Sequence, residues 1–125
     1  MKEKGKTKKK IKYETQILSL ERQIESVNNL ELEEFRETLN ASSPPKELSE
    51  YLNSLWYDAK GNWNKAHDVI SEIEDKNAAW IHAYLHRKEG DIGNADYWYN
   101  QAGKKRSDAI LKKEWEEIVK EFLDQ

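Results

Sequence analysis

The sequence contains no cysteine, only two prolines and no long apolar run. Without cysteine the chain forms no disulfide and offers no thiolate to a metal ion or a substrate, which is typical of a protein in a reducing compartment. The uninterrupted apolar stretches span only a few residues, too few for a transmembrane helix, and the N-terminus lacks the apolar segment of a secretory signal. We therefore expect a cytoplasmic protein without membrane insertion.

Charge is unevenly distributed along the 125 residues. Residues 1–12, MKEKGKTKKKIK, contain seven lysines and one glutamate, a net charge of +6, and because the whole chain carries −3, residues 13–125 carry −9. A dedicated nucleic-acid-binding domain presents a basic face, which does not fit an acidic body. We expect residues 1–12 to form a disordered, solubilising tail, with weak and salt-dependent contact to RNA as the alternative.

Apolar residues recur at helical spacing and no stretch alternates as a strand does, so the sequence predicts an all-α protein. Residues 13–40 hold two amphipathic stretches, a seam of two heptads and a shorter stripe that is expected to pack on the rest of the protein. The loop NASSPP follows, and Pro45 suits the start of the next helix. Residues 41–125 are predicted to form a compact bundle of about five helices, the last of them over 107–124.

An internal repeat organises this bundle. Gly61 and Gly90 are 29 residues apart, and so are Ala66 and Ala95. Each unit reads as a helix, a Gly-Asn or Gly-Asp turn and a second helix, with a glycine suited to the left-handed C-cap and a polar residue suited to the next N-cap. The pair resembles the helical hairpins of tetratricopeptide repeats, although the period is 29 rather than 34.

The segment HAYLHRKEGD, residues 82–91, carries the strongest chemical signal. On a helix at 100° per residue, His82, His86 and Glu89 fall within an arc of about 60°, on a different side from the apolar arc. This stripe is expected to face solvent or a second packing surface. The third histidine of the chain, His67, lies on the second helix of the preceding hairpin, so adjacent helices can bring it near His82.

These four side chains have two interpretations. Three imidazoles and a carboxylate suffice for zinc, and two imidazoles with a carboxylate suit iron or manganese. The alternative, which we favour, is that the histidines form a hydrogen-bonded network with Arg87, Glu89 and Asp91 that fixes the hairpin turn. Asp91 is also the expected N-cap of the following helix.

Three consecutive aromatic residues, Tyr97, Trp98 and Tyr99, span about 200° of a helix, so one packing face does not bury them all. Either the helix lies between two neighbours, which we favour because the middle helices of a short bundle are well covered, or a ring is exposed as a partner-binding patch. The other tryptophans are interpreted as core residues: Trp56, Trp63, Trp80 and Trp115.

The segments LWYDAKGNWNKAHDVI and AAWIHAYLHRKEGDIGNADYWYNQAGK resemble the hallmark of a family of small, uncharacterised helical proteins of bacteria and some fungi. The resemblance covers roughly residues 31–104, and its AWIHAYLHRKEGD…NADYWY part is specific. The family has no established activity, so the resemblance implies no catalytic assignment. The polar positions that match its hallmark are His67, His82, His86, Arg87, Glu89, Asp91 and Asn94.

The repeat hairpins and the aromatic cluster favour a non-enzymatic, cytoplasmic interaction module that binds a protein or peptide and needs no cofactor. The alternative is a metal-binding protein or a metal-dependent enzyme that uses zinc, iron or manganese at His67, His82, His86 and Glu89. Neither a nucleophile–base pair nor a phosphate-binding loop occurs in the sequence.

Overall fold

The computed structural model describes residues 16–23 and 31–125, which form seven helical segments and contain no strand, so the all-α prediction is confirmed for that part of the chain. The predicted tail, residues 1–12, and most of the heptad seam lie outside the described residues. The helices in chain order are α1 (16–23), α2 (31–38), α3 (Glu50–Ala59), α4 (Trp63–Ser71), α5 (Lys76–Glu89), α6 (Ile92–Gln101) and α7 (Leu111–Leu123).

Helices α3 and α4 form one hairpin, and α5 and α6 form another. The turn glycines Gly61 and Gly90 have φ angles of 82° and 90°, a left-handed conformation that costs a residue with a Cβ atom. Asn62 and Asp91 cap the next helix, since their side-chain oxygens accept from the backbone N–H three residues on. The local turn chemistry predicted by the 29-residue repeat is therefore present in both hairpins.

Small residues let the paired helices approach closely. Ala66 and Ala95 are fully buried, and each faces a second small residue on the first helix of its hairpin. In the first hairpin the Ser54 hydroxyl donates to the Ala66 carbonyl at 2.7 Å; in the second, Ala83 packs in one cluster with Ala95. Ser54 and Ala83 are themselves 29 residues apart, which extends the repeat.

The main core lies between α2, α3, α4, α5 and α7, with α5 contacting the largest number of neighbours. Leu32 and Phe35 of α2 are buried in this core, so the stripe before the NASSPP loop packs as expected. Trp115 of α7 contacts Phe35 and donates its indole N–H to the Leu55 carbonyl at 3.1 Å. Burial of these aromatic rings supplies much of the hydrophobic stabilisation.

Two helix boundaries differ from the prediction. Helix α3 begins at Glu50 rather than at Pro45, because residues 45–48 form a turn and Ser49 provides the cap by accepting from the Leu52 N–H. Helix α7 begins at Leu111 rather than at residue 107, because the Ser107 hydroxyl accepts from the Ala109 N–H and holds a local turn.

None of the helices within 16–23 and 31–125 combines the length and hydropathy that spanning a membrane requires.

Candidate functional site

The three histidines of the chain meet where α4 packs beside α5. The Nε2 atoms of His67 and His82 are 3.0 Å apart, and one ring nitrogen from each of His67, His82 and His86 lies within 4.8 Å of the others. His82 and His86 are only 7% and 6% exposed, whereas His67 is half-buried at the rim. The stripe predicted on α5 therefore faces a second packing surface, formed by α4 and α6.

We call this group of three imidazoles the histidine cluster. Two tryptophan rings pack against it from different sides. Trp63 stacks on His67 with the centroids 4.9 Å apart, and its indole N–H donates to the Leu85 carbonyl at 2.8 Å. Trp98 stacks on His82 with the centroids 4.0 Å apart. Trp63 packs against the main core, as predicted, and its ring also forms one wall of the cluster.

Two neighbours orient His86. Its Nδ1 is 2.8 Å from Glu89 Oε1, and its Nε2 is 3.3 Å from Asn94 Nδ2. A carboxylate only accepts and an amide nitrogen only donates, so these partners assign the proton of a neutral ring to Nδ1 and the lone pair to Nε2. Glu89 is therefore positioned to orient His86 and to raise the basicity of its Nε2.

The electrostatics of the cluster disfavour positive charge. Burial and, to a lesser degree, the neighbouring His67 and His86 together lower the pKa of His82 from 6.5 to about 4. Burial and His86 also lower the pKa of His67. At neutral pH His67 and His82 are thus neutral, and a neutral imidazole offers the lone pair that a metal ion requires.

The structure places Arg87 outside the predicted network and leaves Asp91 beside it. Arg87 points away from the histidines, and its Nε donates to Glu114 Oε1 at 3.1 Å. Asp91 caps α6, as predicted, by accepting from the Asn94 N–H at 3.3 Å. The predicted network is therefore wrong for Arg87 only: Glu89 contacts His86, and a carboxylate oxygen of Asp91 lies within 4.8 Å of both.

Two buried carboxylates were missed from the sequence. Glu114, 1% exposed, accepts hydrogen bonds from Arg87, from the Tyr99 hydroxyl and, at 3.3 Å, from the Trp80 indole. Asp58, 2% exposed, accepts from the Tyr84 hydroxyl at 3.1 Å and from Lys88 Nζ at 2.9 Å. Both carboxylates lie on the apolar stripe of their helix, and that position is the sequence signal that indicates burial.

The aromatic triplet of α6 is divided between three environments. Tyr99 is 1% exposed and donates to Glu114, Trp98 is half-buried on His82, and Tyr97 is 55% exposed. Burial, followed by the bond to Glu114, raises the pKa of Tyr99 above its ordinary value. The favoured arrangement, in which neighbouring helices cover all three rings, is wrong because one face of α6 is open to solvent.

Comparison with models of protein families, with curated proteins and with solved structures finds no match to this chain. The resemblances to the family of small helical proteins and to tetratricopeptide repeats therefore stay predictions.

Proposed function

We propose that this protein binds a divalent transition metal ion, with zinc as the best fit, through His67, His82 and His86. The observation that carries the proposal is the 3.0 Å separation of the His67 and His82 Nε2 atoms inside a buried three-ring cluster. Two lone pairs that face each other at this distance share either a proton or a cation. The third imidazole makes the cation the better partner for the set.

The distances support this assignment. Zinc–nitrogen bonds of about 2.0–2.1 Å at tetrahedral angles place two ligand nitrogens about 3.3 Å apart. The His67–His82 separation is close to that value, and rotation of the His86 ring from Asn94 toward the other two completes the set. Three protein ligands leave one coordination position for solvent or a bound group.

The arrangement around His86 supports zinc rather than iron or manganese. Sites for non-haem iron use two imidazoles and a coordinating carboxylate. Here Glu89 contacts the Nδ1 of His86 and leaves Nε2 for the metal ion. Its carboxylate therefore orients the ring, as in a carboxylate–histidine–zinc arrangement. A ligand set made only of nitrogen atoms, with no coordinating carboxylate, favours zinc over iron and manganese.

The test is titration of untagged, chelator-treated protein with Zn²⁺ by calorimetry and with Co²⁺ by visible absorption. We expect one ion per chain and the intense absorption of tetrahedral Co²⁺. His67→Ala and His82→Ala should abolish both signals. His67 is half-buried at the rim, so its alanine variant is expected to keep the fold, which circular dichroism checks.

Asp68→Asn is the matched control, because Asp68 is the exposed neighbour of His67 on the same helix. It should leave the stoichiometry and the absorption unchanged. Binding that persists in His67→Ala and His82→Ala, or the lack of any saturable binding at micromolar Zn²⁺, would overturn the proposal and leave the cluster as a proton-sharing pair.

A second candidate function is binding of a peptide in a groove beside α6, in keeping with an interaction module built on tetratricopeptide-like hairpins. Tyr97, 55% exposed, and Trp98 line this groove of about 450 Å³ together with Glu74 from the turn before α5. An exposed aromatic face beside a carboxylate favours a lysine or arginine side chain. A basic peptide is thus the partner that this groove supports.

Nuclear magnetic resonance with a lysine-rich and a glutamate-rich peptide of equal length tests the second candidate. The lysine peptide should shift the Trp98 indole resonance, and Tyr97→Ala should remove that shift. Equal shifts with both peptides, or an unchanged shift in Tyr97→Ala, would refute it. The zinc titration of Tyr97→Ala should remain that of the wild type, which separates the two functions.

A further inference from the structure

A pocket of about 400 Å³ lies on a different face of α5 from the histidine cluster. Its walls are mostly apolar and come from four parts of the chain: Leu39 after α2, Ala59 of α3, Tyr84 of α5, and Leu111 and Trp115 of α7. Pockets of this size with mostly apolar walls and a few convergent polar groups are typical of small-molecule sites. Apolar walls favour a ligand that has an apolar portion.

The charges around this pocket are mainly positive. Arg36, Lys88 and Lys112 line it against a single carboxylate, Asp58, in a protein whose residues 13–125 are strongly acidic. Glu33 and Glu116 neutralise Arg36, and Asp58 accepts from Lys88 at 2.9 Å. Lys112 is exposed and has no ion pair within the described residues.

The first turn of α7 adds to the positive potential. Ile110 occupies its N-cap position, and in this part of the described chain no side chain caps the helix. Leu111 and Lys112, the first residues of that helix, both line the pocket. Uncapped N–H groups and the helix dipole favour an anion at this end, beside the ammonium group of Lys112.

We propose that this pocket binds a small amphipathic carboxylate, with its apolar body against Leu39, Leu111 and Trp115 and its carboxylate at Lys112. Lys88, bound to Asp58, retains further N–H donors for the same head group. The buried carboxylate of Asp58 disfavours a dianionic phosphate, so a monoanion is the better fit. This site is separate from the histidine cluster and does not depend on the proposed metal function.

Calorimetric titration of the full chain with octanoate tests the proposal, with acetate, octan-1-ol and octyl phosphate as comparison ligands. We expect saturable binding of octanoate, about tenfold weaker binding of octan-1-ol because a charge-assisted hydrogen bond is lost, and no detectable binding of acetate. Resonances of Leu111 and of the Trp115 indole should shift with octanoate. Octyl phosphate that binds more tightly than octanoate would overturn the carboxylate assignment.

Lys112→Glu should weaken octanoate binding at least about tenfold, while Lys113→Glu is the matched control. Lys113 is the exposed neighbour on the same turn and does not line the pocket, so its variant should stay within about twofold of the wild type. Ala59→Trp, at the exposed end of α3, should fill the pocket and abolish binding with the fold retained. Equal affinities of Lys112→Glu and Lys113→Glu, or unchanged binding by Ala59→Trp, would overturn the proposal.

Discussion

Helix α5 borders two buried polar clusters on different faces, and their composition differs. On one face, both oxygens of Glu114 receive donors from Arg87, Tyr99 and Trp80, so a negative charge is surrounded by groups that compensate it. On the other face, three imidazoles crowd together, and among the described residues Glu89 at the rim is the carboxylate in hydrogen-bond contact with them. The charge of the first cluster is paired with donors, whereas in the second two imidazole nitrogens face each other at 3.0 Å.

This difference separates a structural network from a candidate site. A buried carboxylate with compensating donors gains little from any further ligand, but it is costly to disrupt. The pKa values of His67 and His82 are lowered, so these rings retain lone pairs that a cation satisfies better than a shared proton does. The comparison therefore predicts that Glu114 governs folding and that the histidines govern binding.

The largest effect is expected for Glu114→Ala. The variant leaves Arg87 without its buried partner and removes the acceptor for Tyr99, so the free energy of unfolding should fall by about 3–5 kcal/mol. Urea denaturation measures this change. Glu117→Ala, an exposed carboxylate on the same helix, should stay within about 0.5 kcal/mol of the wild type. A loss for Glu114→Ala no greater than that of Glu117→Ala would remove the contrast between the two clusters.

The pH dependence of stability should identify the histidine cluster. In metal-free protein the pKa of His82 is about 4, against 6.5 in the unfolded chain, so the unfolded state binds more protons between these values. The stability that His82 contributes is complete above pH 6.5 and is lost as the pH falls toward 4, by about 2–3 kcal/mol. His82→Gln should show a shallower loss in the same window, measured by urea denaturation at each pH. Parallel profiles of the two proteins would contradict the prediction.

Glu89→Gln should weaken zinc binding by about 10–100-fold, because the amide no longer supports the basicity of the His86 ring. The exposed position of Glu89 keeps the change in unfolding free energy small, below about 0.5 kcal/mol. Competition with a chromophoric chelator measures the affinity. Glu121→Gln removes the same charge from the surface of α7 and should leave the affinity unchanged. Equal affinities of the two variants would show that Glu89 plays no orienting role.

The smallest effect concerns the turn that links the histidine helix to α6. Gly90→Ala should lower the free energy of unfolding by about 1 kcal/mol, because its φ of 90° is costly for alanine although no atom lies within 4 Å of the added methyl group. Gly93→Ala is the matched control, since Gly93 is helical and has similar space, and it should be neutral or slightly stabilising. Thermal unfolding of both variants distinguishes backbone strain from packing.

Much of the fold follows from local sequence chemistry. The positions of Gly61 and Gly90 and of the capping residues Asn62 and Asp91 depend on interactions within a few residues, so spacing alone identified both turns. The helical segments of the described chain follow likewise from apolar periodicity. The start of α3 was predicted too early, because the residues after Pro45 form a turn and Ser49 caps the helix.

The candidate site was less predictable because it depends on the angle between helices. Periodicity placed His82 and His86 on one face of α5, but only packing of α4 against that face brings His67 to 3.0 Å from His82. The role of Arg87 was assigned wrongly for the same reason. Its partner Glu114 is 27 residues away on a helix whose direction no local pattern specifies.

The stacking of Trp63 on His67 and of Trp98 on His82 has an optical consequence. An indole in face-to-face contact with an imidazole loses excited-state energy when that ring gains a proton or coordinates an open-shell ion. Their emission therefore reports protonation of the cluster, or its occupancy by an open-shell ion such as Co²⁺, without an attached label. Trp56 and Trp115, buried in the main core, contribute a background that such changes leave constant.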